Sequence, residues 1–206
     1  LTTQMKSVGA VMAIGRTFKE AFMKGVRSLE LGRSGLLFAE AAKDSGGGPG
    51  AGNDVDDDAA LRKRLIVPSD RRMWDLFRAL YRGWTVEQVH ECTKIDPWFL
   101  RQFAEICDLR RGAAVGGLQG LDEAGMRRLK RAGFGDAEIA LAAGVSEQAV
   151  RERRVGLGVK PVYKRVDTCA AEFESFTPYL YSSYEPSCES NPNARNKVVI
   201  LGSGPN

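Results

Sequence analysis

Apolar residues recur at spacings of three and four along most of this chain, and the places where that rhythm breaks divide it into elements. The opening, MKSVGAVMAIG, is small and apolar. Met5, Val8, Val11, Met12 and Ile14 are expected there to line a buried element packed closely through Gly9 and Ala13. Thr17 and Glu20 then form a T-x-x-E capping box. Phe18, Ala21, Phe22, Gly25, Val26 and Leu29 fall on one face of the helix that follows, which predicts a core-facing element. Residues 32–58 lose the rhythm. They are glycine-rich and then acidic, with too few apolar side chains after Phe38 to offset the entropy of ordering, and read as a flexible insertion.

From Leu61 to about Gly158 the period is helical again and contains a weak internal repeat. Ser69 precedes an apolar stripe of Met73, Leu76, Phe77 and Leu80 that stops at Gly83. Thr85 with Gln88 starts a short helix bearing Val86 and Val89. Asp96 then caps another, with Pro97 in its first position. Fifty residues later the scheme recurs: Gly83 corresponds to Gly133, Trp84 to Phe134, Val89 to Ile139, Ile95 to Val145, Asp96 to Ser146 and Leu100 to Val150. Two copies are fewer than the roughly three a solenoid needs. The prediction is two similar helical hairpins packed on each other in a mainly α domain.

The helical period ends at Lys160–Phe173. Pro161 is poor in a helix interior, and Val162, Tyr163 and Val166 favour extended backbone. Asp167 and Thr168 are expected to cap a short turn carrying Ala170, Ala171 and Phe173, with Glu172 a lone carboxylate. Lys197–Leu201 reads as a buried strand leading into Gly202 and Gly204, the first and third positions of a truncated G-x-G-x-x-G, which alone does not imply dinucleotide binding.

Composition narrows the function more than it defines it. At 206 residues and 43% hydrophobic, the chain can bury one real core. Thirty basic against 26 acidic residues leave a net charge of +4, which implies neither a nucleic-acid nor a membrane partner. No apolar run approaches the ~20 residues that span a bilayer. Cys92, Cys107, Cys169 and Cys188 form no C-x-x-C pair, and there is one histidine, so free thiols in an intracellular, reducing compartment are expected rather than a zinc site. Asp54, Asp56, Asp57 and Asp58 lack the spacing and terminal glutamate of a calcium loop. His90 has no nucleophile or carboxylate that sequence brings to it, and Cys169 has only Lys164 and Arg165 near enough to activate it.

The most serious alternative lies in the second copy. DAEIALAAGVSEQAVRERR, Asp136–Arg154, fits a helix-turn-helix with Gly144 in the turn, Val145 and Val150 as core contacts, and Arg151, Arg153 and Arg154 near phosphates. Against it, Glu147 would enter the groove first, and Pro97, Trp98 and Phe99 at the equivalent place in the first copy have no hydrogen-bonding reach to base edges. The basic run Arg127–Arg131 reads as a solvated helix face.

Several longer strings resemble one family. KRVDTCAAEF followed by TPYLYSSYE resembles the large subunit of carbamoyl-phosphate synthetase (glutamine-hydrolysing) at the join between its central oligomerisation domain and its second synthetase half. LTTQMKSVG and VMAIGRTF resemble the end of the first half, VVILGSGPN the first strand of the second, and KIDPWFL the middle; the weakest match runs from about Gly32 to Val67. The resemblance implies an excised piece: 1–30 as the end of the carboxyphosphate ATP-grasp domain, 31–190 as the helical oligomerisation domain with its insertion at 32–58, and 191–206 as the start of the carbamoyl-phosphate domain. The parent ligase would make carbamoyl phosphate from bicarbonate, glutamine-derived ammonia and two ATP, with Mg²⁺ or Mn²⁺. A glutamine amidotransferase small subunit would be its partner, and its product would feed pyrimidine and arginine biosynthesis.

What the resemblance implies for this stretch is a scaffold. It assigns no catalytic, cofactor-binding or metal residue here and expects the fragment alone to be inactive. It expects self-association through the helical domain, to which Trp74, Phe77, Trp84 and Trp98 are candidates to contribute, and it makes Tyr179, Tyr181 and Tyr184 contacts for a neighbouring domain. The helix from Phe18 would pack on the first ATP-grasp domain. One departure stands out: Ala10 occupies a position where the family usually has glutamate, so no carboxylate role carries over. The compartment implied is cytoplasm or plastid stroma.

Overall fold

A computed structural model describes residues 11–29, 58–69 and 71–199. The 32–57 insertion, Ala10 and the glycine turn at 202–204 lie outside the described residues. Thr17 starts α1 (Phe18–Ser28) by accepting the Glu20 amide at 3.2 Å. The return bond of the expected capping box falls one residue early, since the Glu20 carboxylate accepts the amide of Arg16 at 2.7 Å. Before the helix, residues 11–15 are irregular, with Val11 and Met12 exposed, so the described part of the opening stretch is not the buried element expected.

α2 (Asp58–Ile66) begins three residues before the predicted Leu61, on an acid that suits the positive end of a helix. The repeat then appears at full length, as three helices per copy where two were expected. The first copy is α3 (Arg72–Tyr81), α4 (Val86–Thr93) and α5 (Pro97–Gly116); the second is α6 (Glu123–Arg131), α7 (Asp136–Ala143) and α8 (Glu147–Gly156). α3 and α6 end alike. The Trp84 amide reaches the Ala79 carbonyl at 3.0 Å and the Phe134 amide reaches Leu129 at 3.2 Å, around Gly83 and Gly133 at φ 95° and 93°. That left-handed backbone is why glycine stands at both positions.

The next caps also correspond. Thr85 and Gln88 exchange bonds of 3.2 and 2.8 Å, whereas in the second copy the Glu138 carboxylate accepts the Gly135 amide. Asp96 holds the Trp98 amide at 2.7 Å and Ser146 the Ala149 amide at 3.2 Å. Only the third helices differ greatly, with α5 at 20 residues and α8 at 10. α5 is the spine of the molecule, packing on α1, α3, α4 and α7. Its Leu100, Phe103 and Ile106 meet Leu76 and Phe77 of α3 and Ile139 of α7 in one continuous core.

After α8 the chain becomes extended, as Pro161 and its neighbours predicted. β1 (Val162–Arg165) pairs antiparallel with β2 (Leu180–Ser183), Val162 opposite Ser183 and Arg165 opposite Leu180. Lys197–Val199, the described part of the predicted strand, has no sheet partner among the described residues. No described helix is long and apolar enough to cross a membrane.

Candidate interaction site

The N-terminal helix is held on the first copy by rings. Phe22 lies 5.9 Å from Phe77 and 4.8 Å from Phe103, and Phe18 stands 5.7 Å from Phe22, 5.4 Å from Trp98 and 5.3 Å from Phe99. Phe18 and Phe22, on the apolar face of α1, are therefore packed on α3 and α5. Of the four aromatic residues put forward for self-association, Phe77 is core and Trp74 and Trp84 are half-buried against it. Trp98 is 46% exposed, beside Phe99 at 40%, and these two form the apolar tip left on this face.

The polar side of α1 ties it to β2 and to the α6–α7 turn. Buried Glu20 accepts from Lys24 Nζ at 2.9 Å, and the same ammonium donates to the carbonyls of Ile14 at 2.9 Å and Ser182 at 2.5 Å, over the Tyr181 ring. Arg27 donates to the Gly133 carbonyl at 3.0 Å and to Glu138 at 3.2 Å. Burial pushes the Glu138 carboxyl above its ordinary value, against the pull of Arg27. A Cβ on Gly133 would sit 2.7 Å from Met23 Cβ and 3.0 Å from Glu20 Cα, so the α6–α7 turn and α1 touch backbone to backbone. Glu20 and Met23 are the deepest residues of α1, although the apolar stripe in the sequence includes neither.

A second polar cluster lies a few residues along the same copy. Asp136 is shared by Lys130 Nζ at 2.8 Å and by the Arg154 guanidinium, bound at 2.8 and 3.0 Å. Burial opposes its charge, but hydrogen bonds from Arg154 and Lys130 outweigh that and hold the carboxyl below its usual range. Burial, with a second cation at the same carboxylate, draws the Lys130 ammonium below its ordinary value although Asp136 opposes this. The Tyr184 ring covers the cluster, 5.2 Å from Lys130 and 6.0 Å from Arg154. Next to it Arg131 donates to Glu185 at 2.8 Å. Tyr184 thus packs on α6 and α8 and Tyr181 on α1, while Tyr179 is exposed.

Other singled-out residues resolve simply. His90 Nδ1 lies 2.7 Å from the Ile95 carbonyl, closing the α4–α5 turn. Asp167 accepts the amides of Cys169 and Ala171 at 2.8 and 2.7 Å, the turn expected of it. All four cysteines are free; burial pushes the Cys107 thiol up to about 12. The α7–α8 pair does have the shape of a helix-turn-helix, with Gly144 in the turn. Two of its arginines are spent internally, however: Arg153 donates to the Leu121 carbonyl at 3.1 Å and Arg154 to Asp136, and Arg151 shares its helix with Glu147 and Glu152. Val145, expected in the core, is exposed.

A helical module that holds its own flanking segments by rings and ion pairs defines a class: a packing and assembly domain. Its family is shown by sequence. The chain belongs to the carbamoyl-phosphate synthetase large chain, oligomerisation domain, which it matches over residues 10–158. It is 48% identical over 206 residues to the carbamoyl phosphate synthase large chain of Pseudomonas aeruginosa, covering all of this chain and 18% of that one. It is 45% identical to the arginine-specific, chloroplastic large chain of Arabidopsis thaliana, covering 16% of it, and 47% to the large chain of Synechocystis, covering 18%. The chain thus spans under a fifth of these relatives' length.

Proposed function

We propose that this chain is the scaffold region of a carbamoyl-phosphate synthase large chain. The observation that carries this is 45–48% identity running through all 206 residues, well past the matched family domain on its C-terminal side. In this reading the longer polypeptide makes carbamoyl phosphate from bicarbonate, ammonia released from glutamine by a small subunit, and two ATP with Mg²⁺ or Mn²⁺. The product serves pyrimidine and arginine biosynthesis, in cytoplasm or plastid stroma. No catalytic, nucleotide or metal role falls on these residues. Their part is to set the two synthetase halves, 1–30 ending the first and 191–206 opening the second, on the helical domain between them. Self-association is assigned to the Trp98–Phe99 tip, whose half-exposed rings are of the kind enriched at interfaces.

An immunoblot of source extract with antibody against Pro161–Tyr184 tests the reading. A band several times heavier than 22.5 kDa, in a protein that forms carbamoyl phosphate from glutamine, is expected. A band near 22.5 kDa would overturn it. The purified 206-residue chain should show no ATP hydrolysis.

A further inference from the structure

The segment between β1 and β2 is a densely hydrogen-bonded loop that turns its apolar residues outward. Asp167 fixes two amides, and the Val166 carbonyl accepts from Ser175 Oγ at 3.2 Å and Thr177 Oγ1 at 2.8 Å. Val166 N reaches the Tyr179 carbonyl at 2.9 Å, and Arg165 donates to Ser175 at 2.8 Å. Ala170 and Ala171 are both left-handed, at φ 50° and 60°, a conformation alanine adopts at a cost. Yet Phe173 and Phe176 are 76% and 78% exposed, and Tyr179 is exposed beside them. The loop spends order and backbone strain on holding rings in water, so the burial that compensates lies outside the described residues.

From the geometry we infer that this loop docks on an apolar patch of the same polypeptide beyond these 206 residues. The inference rests on the reading of the chain as part of a large chain. Two observations choose that occupant over a second copy. The relatives are more than five times longer than this chain, so most of the polypeptide that meets it is not among these residues. From Val166 to Tyr179 the loop has Asp167, Glu172 and Glu174 and no lysine or arginine, so two such loops laid face to face would set like charges against each other. The complementary surface is apolar with a rim of lysine and arginine.

The test places the photo-reactive residue benzoylphenylalanine at position 176, or at the 90% exposed Val115 as control, in the full polypeptide, and identifies cross-linked peptides by mass spectrometry. The expected result is a cross-link from 176 to a lysine- or arginine-flanked apolar peptide outside these 206 residues, at several times the yield from 115. Cross-links confined to residues 1–206, within one copy or between two, or a yield no higher than the control, overturn it. A second readout is Phe173→Ser with Phe176→Ser: the melting temperature of the 206-residue chain should not move, while that of the full polypeptide should fall. Equal falls in both would mean the rings pack within the chain and would also overturn it. If the uncross-linked protein has a mass near 22.5 kDa, the large-chain reading fails separately and takes this occupant with it.

Discussion

The two copies share their turns and caps, yet one layer is filled in opposite ways. Leu80, Val86 and Ala104 of the first copy are packed on the core, and fifty residues on the same three positions are Lys130, Asp136 and Arg154. Apolar side chains there bury area at roughly 25 cal/mol per Å². An ion pair in the same place gains little net stability, because desolvation cancels most of the attraction. What the second copy gains is a place to bind. Tyr184 and Glu185 of the strand segment are seated by its cations, and Arg27 of α1 by its Glu138. The first copy makes the core; the second fastens α1 and the Tyr184–Glu185 segment to it.

The largest expected effect comes from breaking that layer on one side only. Asp136→Asn leaves two buried cations without their carboxylate and should cost about 3–5 kcal/mol in urea unfolding at pH 7, against about 1 kcal/mol for Val86→Ala. Acid should reproduce the loss. Because the folded Asp136 carboxyl lies below its ordinary 3.8, its stabilisation is complete above about that pH and disappears as pH falls through the folded value. Glu138 works the other way. Raised above 4.5, it contributes most below that pH and loses its contribution as pH rises through the folded value. Asp136→Asn should therefore flatten the acid limb of the stability profile, and an unchanged limb would count against the shared-carboxylate picture.

The matched glycines separate the copies next. Alanine at either must adopt φ near 94°, at about 1–2 kcal/mol. A Cβ at Gly83 meets open space, whereas at Gly133 it collides with Met23 and the Glu20 backbone, adding about 1–3 kcal/mol of overpacking. Gly133→Ala should thus lower the melting temperature well beyond Gly83→Ala, and equal shifts would mean α1 does not press on the α6–α7 turn. The third-helix caps should behave alike. Asp96→Ala and Ser146→Ala should each cost about 1 kcal/mol by urea unfolding, a gap of more than that size showing the copies unequal even where their hydrogen bonds match.

Much of this was legible in the chain. Thr85, Gln88, Asp96 and Pro97 marked helix starts because capping is local chemistry, and Gly83 and Gly133 marked stops because left-handed backbone excludes most side chains. The repeat was visible through the same punctuation. The first helix of its second copy was harder to see, since the apolar stripe of α6 shrinks to Met126 and Leu129 among arginines and lysines. Glu20 and Met23 were missed because a stripe drawn through Phe18 and Phe22 points at the rings of α5, while a second contact, with the α6–α7 turn, lies round the helix. The charged layer had a signal. Aligning the copies puts Lys130 on Leu80 and Asp136 on Val86, a mismatch that marks a buried ion pair before any coordinates exist. β2 had none: LYSS is a strand because VYKR lies beside it, and that pairing is not local.

The smallest change in stability should come from converting the second copy into the first. Lys130→Leu, Asp136→Val and Arg154→Ala together remove all three charges and install the residues that already fill this layer elsewhere in the molecule. Replacing a whole buried ionic group by apolar side chains is neutral or stabilising in other folds, so the triple variant should unfold within about 1 kcal/mol of the parent, or later. Tyr184 loses both cations over its ring and keeps only apolar contact. Amide exchange at Tyr181–Glu185 should therefore accelerate while that of α3–α5 stays unchanged. A variant with intact protection over Tyr181–Glu185 would show that Lys24 and the β1 pairing suffice to hold the strap, leaving the ionic layer without the fastening role that distinguishes the two copies.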